Sequence, residues 1–110
     1  MNIEEIESNG VWILIITGVM DAHTSPALKA KLEAGITSGK TKLAVNMNGV
    51  TYLSSAGAGA LLAGLTASRK KGGELRICSF QPAVKDAFDV MGFSKAFKVF
   101  PSLDEALKGF

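Results

Sequence analysis

The chain has 110 residues, a formal net charge of +2, 47% hydrophobic and 20% charged side chains, which excludes an intrinsically disordered segment and leaves room for one domain, residues 1–110. A chain of this size buries roughly two-thirds of its unfolded surface, so its core needs no covalent staple. Cys78 is the single cysteine, which excludes a disulfide scaffold and a Cys-rich metal site and points to an intracellular, cytoplasmic protein.

Asn2 to Ser8 is short and weakly alternating, and Asn9-Gly10 after it is the dipeptide that best accepts the positive φ angles of a hairpin turn. Val11 to Thr17 is continuously apolar and β-branched, as a central strand covered on both faces requires, and Gly18 is expected to end it. Thr24-Ser25-Pro26 offers an N-cap hydroxyl with proline at the first helical position. Leu28, Leu32 and Ile36 then share one helix face, and Ser38-Gly39 closes the element. Lys42 to Met47 is the next strand; Asn48-Gly49 is expected to turn the chain, and Val50 to Leu53 leads into a second helix at Ser54-Ser55. Ala58, Leu61, Leu62 and Leu65 are its apolar stripe, and Arg69-Lys70-Lys71 sits where cations favour a helix C-terminus. Gly72-Gly73 breaks the chain before the strand Glu74 to Cys78. Pro82 opens a third helix with Val84, Ala87, Phe88 and Met91 inward, Lys95 to Phe100 reads as a last strand, and Pro101-Ser102 starts a short final helix.

The order β-β-α-β-α-β-α-β-α predicts an α/β fold. Parallel strands need helical crossovers and the opening hairpin is antiparallel, so the product is a single mixed β-sheet, mostly parallel, with an antiparallel edge hairpin and packed helices. Functional surfaces in such sheets lie outside the carboxyl ends of the strands. Two loops there stand out, Gly18 to Ser25 and Thr51 to Gly59.

Most chemistry is excluded by scarcity. The basic residues are scattered and not interleaved with aromatics, so a nucleic-acid footprint is missing. The apolar run Val11 to Ile16 is far short of the ~20 residues of a membrane span, and Glu4, Glu5 and Glu7 before it are the wrong charge for a signal peptide. The segment 34–41 has Ala34 where a phosphate-binding loop has glycine, and it ends a helix instead of starting one. Gly57-Ala58-Gly59 lacks the third glycine of a dinucleotide site. One histidine, His23, and one cysteine, far apart, make neither a catalytic triad nor a metal cluster. No catalytic residue, cofactor or metal ligand is expected.

What survives is Ser54-Ser55-Ala56-Gly57-Ala58-Gly59, where a strand end runs into a helix. A helix N-terminus has unpaired N–H groups and about half a positive charge, and Ser54 suits its cap. Two successive serines exceed what a cap requires. Gly57 and Gly59 so early in a helix leave backbone bare, which suits close approach by a partner. A phosphoryl group on Ser55 would add about −1.5 to −2 charge at the helix end that tolerates it.

On these residues the chain resembles the STAS domain family over nearly its whole length. Its bacterial single-domain members carry a strand-to-helix loop D-S-[STA]-G-L-G, matched here by Ser54 to Gly59, with Ser55 at the phosphorylated position. Gly18-Val19-Met20-Asp21 resembles the family's G-x-[IL]-D loop; Gly72-Gly73-Glu74-Leu75, Pro82-Ala83-Val84 and Phe88 to Phe93 resemble later segments. The resemblance implies an anti-sigma factor antagonist without catalytic activity. Its partners would be an anti-sigma factor with serine kinase activity, bound while Ser55 is unphosphorylated, and a serine phosphatase that restores the bound form. It also implies a partner surface of Asp21, Ser54, Ser55, Ala56, Gly57, Ala58 and Gly59. Two positions depart from the pattern: Ser54 replaces the family's acid, and Ala58 its leucine. An adaptor subunit of a membrane transport or signalling complex, binding without phosphorylation, is the alternative implication.

Overall fold

The computed structural model describes residues 1–110. Strands β1 (Asn2–Ser8) and β2 (Val11–Met20) form the opening hairpin. Then follow α1 (Ser25–Thr37), β3 (Lys42–Leu53), α2 (Ser55–Lys70), β4 (Glu74–Cys78), α3 (Pro82–Val90), β5 (Val99–Phe100) and α4 (Leu103–Leu107). The five strands lie in sequence order, β1 antiparallel to β2 and the other neighbours parallel. Because each right-handed crossover advances one strand in the same direction, α1, α2 and α3 all fall on one face. That face holds the core, in which Leu14 and Ile16 of β2 and Val45 and Met47 of β3 meet Leu28 and Leu32 of α1, Leu61 and Leu65 of α2, and Phe88 of α3. The other face is covered only by α4 and the residues after it, with Leu103, Leu107 and Phe110 over Val11, Ile13 and Ala44.

Four sequence expectations change. Gly18 does not end β2, and Asn48-Gly49 does not turn the chain: both lie inside strands that run on to Met20 and Leu53. The ladder passes Ile15↔Asn46 and then Thr17↔Gly49, and later Gly18↔Val50 and then Val19↔Tyr52, so β3 twice spends one more residue than β2. These are bulges, and in the first the Asn46 carboxamide oxygen accepts from the Asn48 N–H at 3.0 Å. Gly49 is glycine because a Cβ there would stand 2.4 Å from Cγ2 of Thr17.

The expected strand Lys95 to Phe100 shrinks to Val99–Phe100, preceded by a 3-10 turn at Phe93–Lys95. Here aromatic packing overrides extension, since Phe93 and Phe97 both turn onto Phe88, with ring centroids 5.9 and 5.4 Å away. Finally, Thr24 occupies the cap position of α1 but its hydroxyl does not cap the helix, and Pro26 is the second helical residue rather than the first.

Candidate functional site

β2 ends at Met20 and β3 at Leu53, which are partners in the parallel ladder, so the loops that follow leave the sheet side by side. The Ser54 N–H donates to the Met20 carbonyl at 2.9 Å and fixes one loop against the other.

In the first loop Asp21 organises the backbone. Its Oδ1 accepts from the N–H groups of His23 at 2.9 Å and Thr24 at 3.1 Å. The Thr24 hydroxyl accepts from the Asp21 N–H and donates to the Val19 carbonyl, each at 2.9 Å, which is why it is not free to cap α1. The Asp21 carbonyl accepts from the N–H of Ser25 at 2.9 Å and from its hydroxyl. Hydrogen bonding from the Thr24 backbone, then from His23, holds the Asp21 carboxyl below the ordinary aspartate range. His23 is exposed, and its hydrogen bond to the loop is made by its backbone N–H.

The second loop opens α2. Ser54, at φ −90° and ψ 171°, is the N-cap: its hydroxyl oxygen accepts from the Gly57 N–H at 3.3 Å and its carbonyl from the Ala58 N–H at 3.0 Å. Ser55 and Ala56 are exposed, Asp21, Ser54 and Gly59 half-buried, and the Ser55 hydroxyl enters none of the hydrogen bonds that knit the loops. From Leu43 to Ser68 the chain carries no charged side chain, so the charged residues of α2, Arg69 and Lys70, lie at the far end of the helix from Ser55.

Gly57 and Ala58 are placed differently from the sequence expectation. Both are buried, Ala58 completely. A Cβ at Gly57 would lie 2.9 Å from both the Met20 carbonyl and Leu53 Cδ1, so the element that approaches this glycine is the chain's own β2–β3 end and not a partner. Gly59 does face open space, with nothing within 4 Å of the Cβ position. The accessible rim is therefore Asp21, Ser54, Ser55, Ala56 and Gly59.

Sequence reasoning passed over an apolar pair beside it. Val19 and Tyr52, cross-strand partners, are 37% and 55% exposed and carry the rim onto the α4 face of the sheet. Their pairing follows the second bulge, and no alternation in the sequence signals it.

A sequence profile of the STAS domain family matches residues 2–106. An anti-sigma F factor antagonist of Paenibacillus polymyxa is 27% identical over 105 residues, covering 94% of this chain and 87% of that protein. An anti-sigma factor antagonist from Mycobacterium paratuberculosis superposes with a TM-score of 0.80 at 26% identity, covering 96% of this chain and 90% of that one. The phosphorylated form of the Bacillus cell fate determinant SpoIIAA shares the fold at a TM-score of 0.75 and 18% identity, with 96% of each chain covered. No helix here is long and apolar enough to cross a membrane.

Proposed function

We propose that this chain, which belongs to the STAS domain family, is an anti-sigma factor antagonist gated at Ser55. Unmodified, it binds an anti-sigma factor through the rim at the carboxyl ends of β2 and β3 and so releases the sigma factor. Transfer of the γ-phosphoryl group of ATP to the Ser55 Oγ, with loss of the hydroxyl proton and departure of ADP, is carried out by that anti-sigma factor acting as a serine kinase. A serine phosphatase reverses it by hydrolysis to inorganic phosphate. The chain itself supplies the acceptor and the docking surface, and it works in the cytoplasm, where transcription is controlled.

The observation that carries this reading is the contrast between the two serines. Ser54 is half-buried and its oxygen is held as a helix cap, whereas Ser55, one residue on, is exposed and unbonded. A kinase reaches the second without unwinding α2. The added charge of about −1.5 to −2 is tolerated by the positive helix end, so the fold survives. A docked complex does not: a dianion buried in the interface loses its hydration, and each ~1.4 kcal/mol lost is tenfold in affinity. Relatives named as anti-sigma factor antagonists support the same reading.

The test is incubation with the cognate kinase and ATP. The mass should rise by one phosphate in the wild type and in Ser54→Ala, and stay unchanged in Ser55→Ala. A gain that persists in Ser55→Ala removes the assignment.

A further inference from the structure

Between the first turns of α1 and α2 lies an open groove of about 450 Å³. Ala22, Ser25, Pro26 and Lys29 form one wall, and Ala56, Gly59 and Ala60 the other. The intervals of three and four residues put Ser25, Pro26 and Lys29 on one side of α1 and Ala56, Gly59 and Ala60 on one side of α2, while Ala22 stands in the loop before α1. Ala56 follows Ser55 directly, so whatever occupies the groove lies beside the phosphate acceptor. Unlike Gly57, whose Cβ position is filled from inside, Gly59 opens into this space.

Lys29 is the only charged side chain in the lining. It makes no ion pair: the bridging cations are Lys31, Lys40, Arg76, Lys85, Lys98 and Lys108. Glu33, one turn further along α1, stands in the reversed order, Lys before Glu, that couples weakly, and forms no bridge with it. The groove thus joins small apolar walls to one uncompensated cation.

We propose that this groove receives an amphipathic acidic segment of the protein that docks over Ser55, with its apolar side against Pro26, Ala56 and Gly59 and a carboxylate on the Lys29 ammonium. A basic segment would bring like charge against Lys29, and a neutral one would cover the ammonium without pairing it. An acidic occupant also explains why modification next door is effective, because the phosphoserine and the incoming carboxylate carry the same sign. The identity of the docked protein rests on the function proposed above; the charge preference of the groove does not.

Two synthetic helical peptides with the same alanine-leucine apolar face, one bearing glutamates and the other lysines on the polar face, separate the cases. They are titrated into the 15N-labelled full chain. The glutamate peptide is expected to move the amides of Ala22, Lys29, Ala56 and Gly59 and to weaken as salt rises. Its affinity should fall at least tenfold in Lys29→Glu, which should instead favour the lysine peptide. Lys29 is exposed, and matching thermal melts check that the variant folds. Equal binding of the two peptides, shifts gathered on Val19 and Tyr52, or unmoved groove amides with both peptides would each overturn the proposal. Phosphate uptake is read separately by mass. A chain that takes no phosphate on Ser55 yet selects the glutamate peptide keeps the groove assignment and loses the switch, and the opposite pair of results does the reverse.

Discussion

Ser54 and Met20 are joined across the carboxyl ends of two neighbouring strands, the Ser54 N–H donating to the Met20 carbonyl at 2.9 Å. The same Met20 carbonyl lies over Gly57, together with the Leu53 side chain. The position of Ser55 is therefore set from below by the sheet rather than by the loop alone: cap, carbonyl and glycine form one packed unit.

Gly57→Ala tests that unit. Its Cβ would stand 2.9 Å from the Met20 carbonyl oxygen, which cannot rotate away, so we expect a loss of about 1–3 kcal/mol by overpacking. Gly59→Ala meets nothing and should gain about 0.5–1 kcal/mol from helix propensity. Urea unfolding of the two variants gives the sign directly. Equal stabilities would mean that Met20 does not press on α2.

The two serines should separate in stability. Ser54→Ala removes the acceptor of the Gly57 N–H and should cost about 1 kcal/mol, while Ser55→Ala should fall within about 0.5 kcal/mol of wild type. Ser54→Asp, which restores the acid of the family pattern, should keep the cap and the stability, since Asp and Ser cap about equally well. A larger loss for Ser55→Ala than for Ser54→Ala in thermal melts would exchange the two roles.

The hydroxyl pair was legible because a strand end, a cap residue and an apolar stripe at helical spacing are all local signals. The inward residues Leu28, Leu32 and Ile36 were legible for the same reason. Asn48-Gly49 misled because a bulge and a turn use the same residue types, and only the partner strand decides between them. Gly57 misled because bare backbone looks the same whether a partner or the chain's own Met20 covers it. Arg76 is buried by carbonyls 30 to 33 residues later in the chain, which no local pattern encodes.

Acid should loosen the Asp21 loop later than an ordinary carboxylate would. The folded pKa lies below the reference value of 3.8, so the loop's stabilisation is complete above that value and is lost as pH falls through the lowered one. NMR titration of the Asp21 carboxyl, followed also at the His23 and Thr24 amides, should give one midpoint below 3.8. A midpoint at or above it would show that those two N–H groups do not hold the carboxylate in solution.

The same sheet anchors its other face through Arg76, the middle residue of β4. The guanidinium, in a residue only 7% exposed, donates to Glu74 at 3.0 Å, to the carbonyls of Ala106 at 3.0 Å and Lys108 at 2.6 Å, and to that of Gly109 at 3.2 Å. It also lies 4.1 Å from the centroid of the Phe110 ring. Burial pushes the Glu74 carboxyl up, but hydrogen bonds from Arg76 and Lys98 outweigh this and leave it below its ordinary value. Arg76→Ala removes the donor from three carbonyls and leaves the Glu74 carboxylate with Lys98 alone, so a loss of about 2–4 kcal/mol is expected. Arg76→Lys should recover little, because an ammonium on a flexible stem cannot match the planar fork. Hydrogen exchange should become faster across Leu103 to Phe110, and the Val11, Ile13 and Ala44 strip beneath should become accessible, while the Ser55 amide stays where it was. An Arg76→Ala chain as stable as wild type, with α4 still protected, would show that the apolar contacts of Leu103, Leu107 and Phe110 hold the segment without the guanidinium.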